Sequence, residues 1–167
     1  YFNNTNNYLK KDFGITIRKE ILNDILDTPG FLSRVKKSHD ATIMTEWNTL
    51  RCIMWKQNCI VEPGKFINSM QKVAKVKGLE IFTGFSQNDI SEFMLFIIDC
   101  FHNSVCRPVN MKIDGKTNTE VDKIAVKVYT QIKNMYSTEY SEIWNLFYGM
   151  HISQIVSCKT NQVISHT

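Results

Sequence analysis

The residues able to do chemistry are few. The chain has five cysteines and four histidines among 167 residues. One segment stands out: Phe82-Thr83-Gly84-Phe85-Ser86-Gln87-Asn88-Asp89-Ile90-Ser91-Glu92-Phe93. A loop glycine leads into Gln87, Asp89 and Glu92 at a helix start, and aromatic core residues follow. A carboxylate there is favoured by the helix dipole. Two readings stay open: a well-capped core helix, or a polar cluster aimed at a ligand. The second segment of interest is Glu142-Ile143-Trp144-Asn145-Leu146-Phe147-Tyr148-Gly149-Met150-His151-Ile152-Ser153-Gln154-Ile155-Val156-Ser157-Cys158. Physically it is a helix end, a glycine stop and a strand.

The elements that must hold these segments are mostly helical. Ile17, Ile21, Leu22, Ile25 and Leu26 recur at helical spacing, and Pro29-Gly30 ends that helix. Ile43, Trp47, Leu50 and Met54 predict a second helix from about Ile43 to Lys56. Pro63 stands where a first helical turn would open, ahead of Phe66, Ile67, Met70 and Val73. The strongest pattern predicts a helix from Ser86 to Asn103, with Ser86 as N-cap and Asp89 completing a capping-box variant. Ile90, Phe93, Met94, Ile97 and Phe101 would form one buried face, widened by Leu95, Phe96 and Ile98, making this helix central to the core. A loop over Cys106 to Thr117 leads to a helix from Asn118 to Met135, with Val121, Ile124, Ala125, Val128, Ile132 and Met135 as an apolar stripe on one side, and a short one from Ser141 to Phe147. Met150, Ile152, Ile155 and Val156, then Val163 and Ile164, read as two strands turning at Lys159 to Asn161. A two-stranded ribbon is marginal alone, so more sheet is expected beyond it.

Composition narrows the function classes. Hydrophobic residues make up 43% and charged residues 22%, as in ordinary globular domains. No apolar run is long enough to span a membrane. The net charge of +4 is mild and spread out, with no Lys/Arg stripe or docking motif for nucleic acid. An odd cysteine count without framework spacing fits free thiols in a reducing, intracellular setting. The chain opens on Tyr1 without a basic-then-apolar leader, which reads as a processed or cut start.

Together the two segments resemble the ubiquitin-specific protease family of papain-like cysteine deubiquitinases. Gln87-Asn88-Asp89-Ile90-Ser91-Glu92-Phe93 is similar to that family's Gln-Gln-Asp-x-x-Glu-Phe box, with Phe82-x-Gly84 before it and Ile98-Asp99-Cys100-Phe101-His102 after it. Trp55, Pro63 and Phe66 match the upstream run, and Leu146-Phe147-x-Gly149 with Val156-x-Cys158 resemble the element entering the fingers. The resemblance implies an α+β fold. Here it would be a partial catalytic domain over 1–167: thumb helices over about 8–147 and the beginning of the fingers over 148–167. It implies ubiquitin or a ubiquitinated protein as partner, and thiol-dependent hydrolysis of the isopeptide bond after ubiquitin's C-terminal glycine. Asp89 becomes a candidate contact for the arginines of ubiquitin's tail, with Gln87 and Glu92 beside it.

The departures bear on catalysis. The family's nucleophile opens its first helix in a Gly-Asn-Thr-Cys stretch, where the helix N-terminus favours thiolate. Here Asn6 or Ile17 falls at that position, depending on the alignment, and neither can form an acyl-enzyme. Cys52, Cys59, Cys100 and Cys106 lack matching context and read as buried or incidental. His39, His102, His151 and His166 do not match the general base, and His102 reads as a helix-end residue. Cys158-Lys159-Thr160-Asn161 keeps only one sulfur of a zinc knuckle, so no metal and no cofactor is expected. The chain alone is therefore expected to be inactive, and the alternative is a catalytically dead homologue that binds ubiquitin or serves as a scaffold.

Overall fold

A computed structural model describes residues 15–54, 60–84 and 87–166. Its helices, in chain order, are α1 (Ile15–Asp27), α2 (His39–Met54), α3 (Gly64–Val76), α4 (Ile90–Val105), α5 (Glu120–Thr138) and α6 (Glu142–Phe147). Two strands close the chain, β1 (Gln154–Val156) and β2 (Val163–His166). The fold is α+β, dominated by helices, with one antiparallel ribbon at the C-terminal end.

The core forms where α2 packs on both α4 and α3, with α6 wedged against α4 and α1. Leu26, Phe31, Ile43, Met44, Val73, Phe101 and Ile143 are buried there. Phe82 stacks on Phe96 at 5.2 Å between ring centroids and meets Phe93 edge-on at 5.9 Å. Trp47 tilts against Phe66 at 5.6 Å, which fastens α2 to α3. Such aromatic pairs add to the area they bury.

Buried charge is paired. Arg51, nearly covered, forks onto Asp27 at 2.6 and 3.3 Å and so joins α2 to the end of α1. Lys77, just past α3, reaches Asp40 on α2 at 2.9 Å and Asp99 on α4 at 3.4 Å. Glu142 holds two arginines, Arg107 at 2.8 Å and Arg34 at 3.2 Å.

Three expectations change. The helix carrying the polar cluster starts at Ile90, and its cap is Asp89 rather than Ser86, which lies outside the described residues. Only its second half is central to the core: Phe96, Ile97, Ile98, Cys100 and Phe101 are buried, but Ile90 is 70% and Leu95 55% exposed. The apolar stripe of α5 is no core face either, since none of its residues is buried. That helix hangs on a backbone bridge between Arg107 and Tyr140, and on the Val109 amide donating to the Tyr136 carbonyl at 2.8 Å.

The ribbon pairs Gln154 with His166 and Ile155 with Ser165, then slips so that Val156 faces Val163. Strand pairing starts at Gln154, so Met150 and Ile152 precede it. The turn falls as expected, with Asn161 at φ 53°, a left-handed conformation that asparagine tolerates. Ile155, Val156, Val163 and Ile164 are all substantially exposed.

Candidate functional site

The three predicted residues Gln87, Asp89 and Glu92 are all exposed, at the free end of α4. Asp89 is fixed by the helix it starts. Its backbone is extended, and Oδ1 accepts from the amides of Ser91 at 2.6 Å and Glu92 at 3.3 Å. These amides would otherwise lack a partner in the first helical turn. The Ser91 amide, then that of Glu92, holds the Asp89 carboxyl below the usual carboxylate range. Oδ1 serves the cap, and the rest of the exposed carboxylate is available to a cation from outside. Capping and ligand binding are therefore compatible in one side chain. Glu92 stands in the same first turn. Asn88 is half-buried, and its Oδ1 has no partner among the described residues.

The loop before this cluster is tethered at Gly84, whose carbonyl accepts from Gln71 Nε2 at 3.4 Å. An open hollow of about 730 Å³, lined by Lys75, Gly78, Glu80, Thr83 and Gly84, ends at that loop. A second, about 380 Å³, lies between α2 and α3 over Leu50, Ile53, Pro63 and Phe66 and shares no residue with the polar cluster.

The cysteines do not form a reaction centre among the described residues. Cys100 is buried, and its thiol is pushed up to about 12, chiefly by desolvation. Cys52 and Cys158 are exposed and Cys106 is half-buried. Cys59 lies outside the described residues, as do Asn6 and the side chain of Ile17. No hydrogen bond joins a cysteine sulfur to a histidine ring among the described residues.

One constellation imitates a hydrolytic triad. Ser141 Oγ lies 2.8 Å from His102 Nδ1, and His102 Nε2 lies 3.6 Å from Glu139 Oε2. Ser141 is fully buried and His102 is 1% exposed. The serine oxygen also accepts the Trp144 amide at 3.0 Å as the cap of α6. Ser141 Oγ and Nδ1 share one hydrogen bond, and Nε2 faces Glu139. At 3.6 Å that contact is too long for a hydrogen bond. The imidazole stacks on Trp144 with ring centroids 3.6 Å apart. Burial pushes the His102 imidazole down, against the pull of Glu139. No substrate carbonyl can reach this serine, so the group is a polar clasp between α4 and α6. The sequence signals a helix-end His102, and that is its place, but its partners lie more than thirty positions away and left no local pattern.

Among the described residues no three His, Cys, Asp or Glu side chains gather as metal ligands. No helix among them is long and apolar enough to cross a membrane.

Comparison with known proteins decides the family. Residues 8–166 match the family model of ubiquitin carboxyl-terminal hydrolases. The chain belongs to the ubiquitin carboxyl-terminal hydrolase family. Within it, the chain is similar to ubiquitin carboxyl-terminal hydrolase 2 from Bos taurus, 33% identical over 91 residues. That alignment covers 53% of this chain and 14% of the relative's length. In this ubiquitin carboxyl-terminal hydrolase chain, Gln87, Asp89 and Glu92 thus mark an exposed helix start whose capping carboxylate is held ionised.

Proposed function

We propose that this chain forms the helical thumb and the beginning of the fingers of a ubiquitin carboxyl-terminal hydrolase catalytic domain, over about 8–147 and 148–167. Its role is to hold one side of the cleft that receives ubiquitin's C-terminal tail. The observation that carries this reading is Asp89. Its carboxylate is exposed, kept ionised by the Ser91 and Glu92 amides, and immobilised before any partner arrives. A fixed anion gives charge-assisted hydrogen bonds to a basic tail at little ordering cost. Gln87 and Glu92 flank it. The setting is intracellular, consistent with free thiols.

The chain by itself does not cleave the isopeptide bond. The family's nucleophilic catalysis needs a thiol paired with a histidine base, and no described cysteine sulfur is hydrogen-bonded to a histidine. Ubiquitin carrying a C-terminal vinyl sulfone therefore leaves no covalent adduct on the 167-residue chain. An adduct overturns this point. Binding is tested separately by titrating isotope-labelled ubiquitin and following its tail resonances. Asp89→Asn keeps a good cap but removes the charge, so it weakens tail binding several-fold and flattens its salt dependence. Unchanged binding and unchanged salt dependence would remove Asp89 from the site.

A further inference from the structure

The loop between α1 and α2 meets the C-terminal end of α4 at one pair of reactive side chains. Lys36 Nζ lies 2.9 Å from Cys106 Sγ, although the residues are 70 positions apart. Both are held by their backbones. The Lys36 amide donates to the Ser104 carbonyl at 2.8 Å, and the Cys106 amide to the His102 carbonyl at 2.8 Å. The sulfur sits 3.7 Å from the Asn103 carbonyl, where its proton points when present. Cys106 is half-buried and Lys36 exposed, so a small molecule can reach the sulfur without unfolding. The pair is not isolated. The Lys36 charge acts on the His102 ring, whose buried Nε2 has no hydrogen-bond partner among the described residues. The other described cysteines differ: Cys100 is buried, and exposed Cys52 and Cys158 show no lysine hydrogen-bonded to their sulfur.

We propose that Cys106 is an oxidant-sensitive thiol, a modification site for hydroperoxides that Lys36 equips. The sulfur attacks one peroxide oxygen; the S–O bond forms as the O–O bond breaks. Sulfur loses two electrons, and the departing oxygen gains them. Lys36 gives that oxygen a proton, so it leaves as water, or as an alcohol from an organic hydroperoxide. The thiol proton restores the ammonium, and the product is the sulfenic acid of Cys106. Reactive cysteines sit in partly exposed, electropositive surroundings, and this pair meets both conditions.

The test exposes the whole chain to hydrogen peroxide in the presence of dimedone, which traps sulfenic acids, and reads each cysteine by peptide mass spectrometry. Cys106 labels faster than Cys52 and Cys158, and Cys100 stays unlabelled. An exposed ammonium supplies less than the roughly hundredfold of a well-positioned general acid, so Lys36→Met slows Cys106 on the order of tenfold. Labelling at Cys52 and Cys158 is unchanged in that variant, and Lys36→Arg, whose guanidinium holds its proton, slows Cys106 much as Lys36→Met does. Alkylation by iodoacetamide, which has no oxygen leaving group to protonate, slows less in Lys36→Met than oxidation does. The proposal falls if Cys106 labels no faster than the exposed cysteines. It falls equally if Lys36→Met leaves its oxidation rate unchanged, or slows alkylation and oxidation alike. Should Lys36→Met not fold, the ranking of cysteines in the native chain and the Lys36→Arg rate decide.

Discussion

Replacing Glu142 by Gln removes one charge from the junction of three distant segments while keeping the volume. Glu142 is the first residue of α6 and lies under two guanidinium groups. Arg107 grips it as a fork, Nη2 to Oε1 at 2.8 Å and Nη1 to Oε2 at 3.0 Å. Arg34 adds two longer bonds to Oε1, both 3.2 Å. Burial by itself would raise the Glu142 carboxyl, but the Arg107 fork and the charge of Arg34 outweigh it and hold the group at about 2. The gap from the ordinary 4.5 corresponds to roughly 3 kcal/mol favouring the charged form. Both arginine side chains are more than a third exposed, at 39% and 37%. Solvent screening therefore reduces the usable part to about 1–2 kcal/mol.

The sign follows from linkage. The folded-state value lies below the unfolded one, so the stabilisation is complete above about pH 4.5 and is lost as pH falls through about 2. Glutamine does not titrate. Urea unfolding followed by circular dichroism near neutral pH should find Glu142→Gln less stable by about 1–2 kcal/mol. That deficit should shrink as pH falls below 4.5, because the native chain loses its advantage. Other carboxylates titrate alike in both proteins and cancel in the difference. A deficit that stays constant down to the acid limit would mean that packing, not charge, makes the difference. No deficit at neutral pH would mean that the clamp adds nothing to folding.

Ile143, fully buried beside Glu142, anchors α6 in the core; Ile143→Ala should cost about 2–5 kcal/mol and lower the melting temperature by roughly 5–15 °C. A much smaller loss would show that α6 is not docked as described. His102 faces Glu139, Asp99 and Lys36, and burial pushes its imidazole below the ordinary 6.5. The unfolded chain therefore takes the proton first, so His102's contribution to stability is present above 6.5 and declines as pH falls through its lowered folded value. His102→Gln should flatten stability against pH across that window, and an unchanged slope would refute the assignment. Cys100, its thiol pushed up to about 12 in the core, should resist alkylation in the folded chain and react only on unfolding.

The helices were legible because apolar spacing reports burial directly. The patterns around Ile43, Trp47 and Leu50, and around Phe66 and Val73, lie within α2 and α3 as predicted. The exposed half of α4 and the stripe on α5 show the limit of that signal. Periodicity marks a face that can be covered, and it cannot tell which partner covers it. Ile90 and Leu95 pattern like Ile97 and Phe101, yet they meet solvent here. The cap was misplaced for a related reason. Ser86 and Asp89 are both good cap residues, and only geometry shows that Asp89 takes the amides of Ser91 and Glu92. The contacts among Arg34, Arg107 and Glu142, and between Lys36 and Cys106, join segments far apart in sequence. No local pattern announces them.

The two acidic groups near helix starts use their charge differently. Glu142 spends its charge inside the protein, on two arginines that knit α6 to the loops around it. Asp89 spends one oxygen on backbone amides, and among the described residues no cation pairs with its carboxylate. For folding alone, an uncharged Asn or Ser would cap α4 about as well. Beyond the amides that cap α4, no cationic side chain pairs with Asp89 among the described residues, so its charge can also attract a group from outside. A basic peptide is the simplest such partner, and a tail laid along the start of α4 would meet Asp89 with Gln87 and Glu92 within reach. Exposed Ile90, next to the carboxylate, supplies apolar surface for the same segment. The start of α4 thus combines fixed negative charge with uncovered hydrophobic area, the two features on which the proposed tail contact rests.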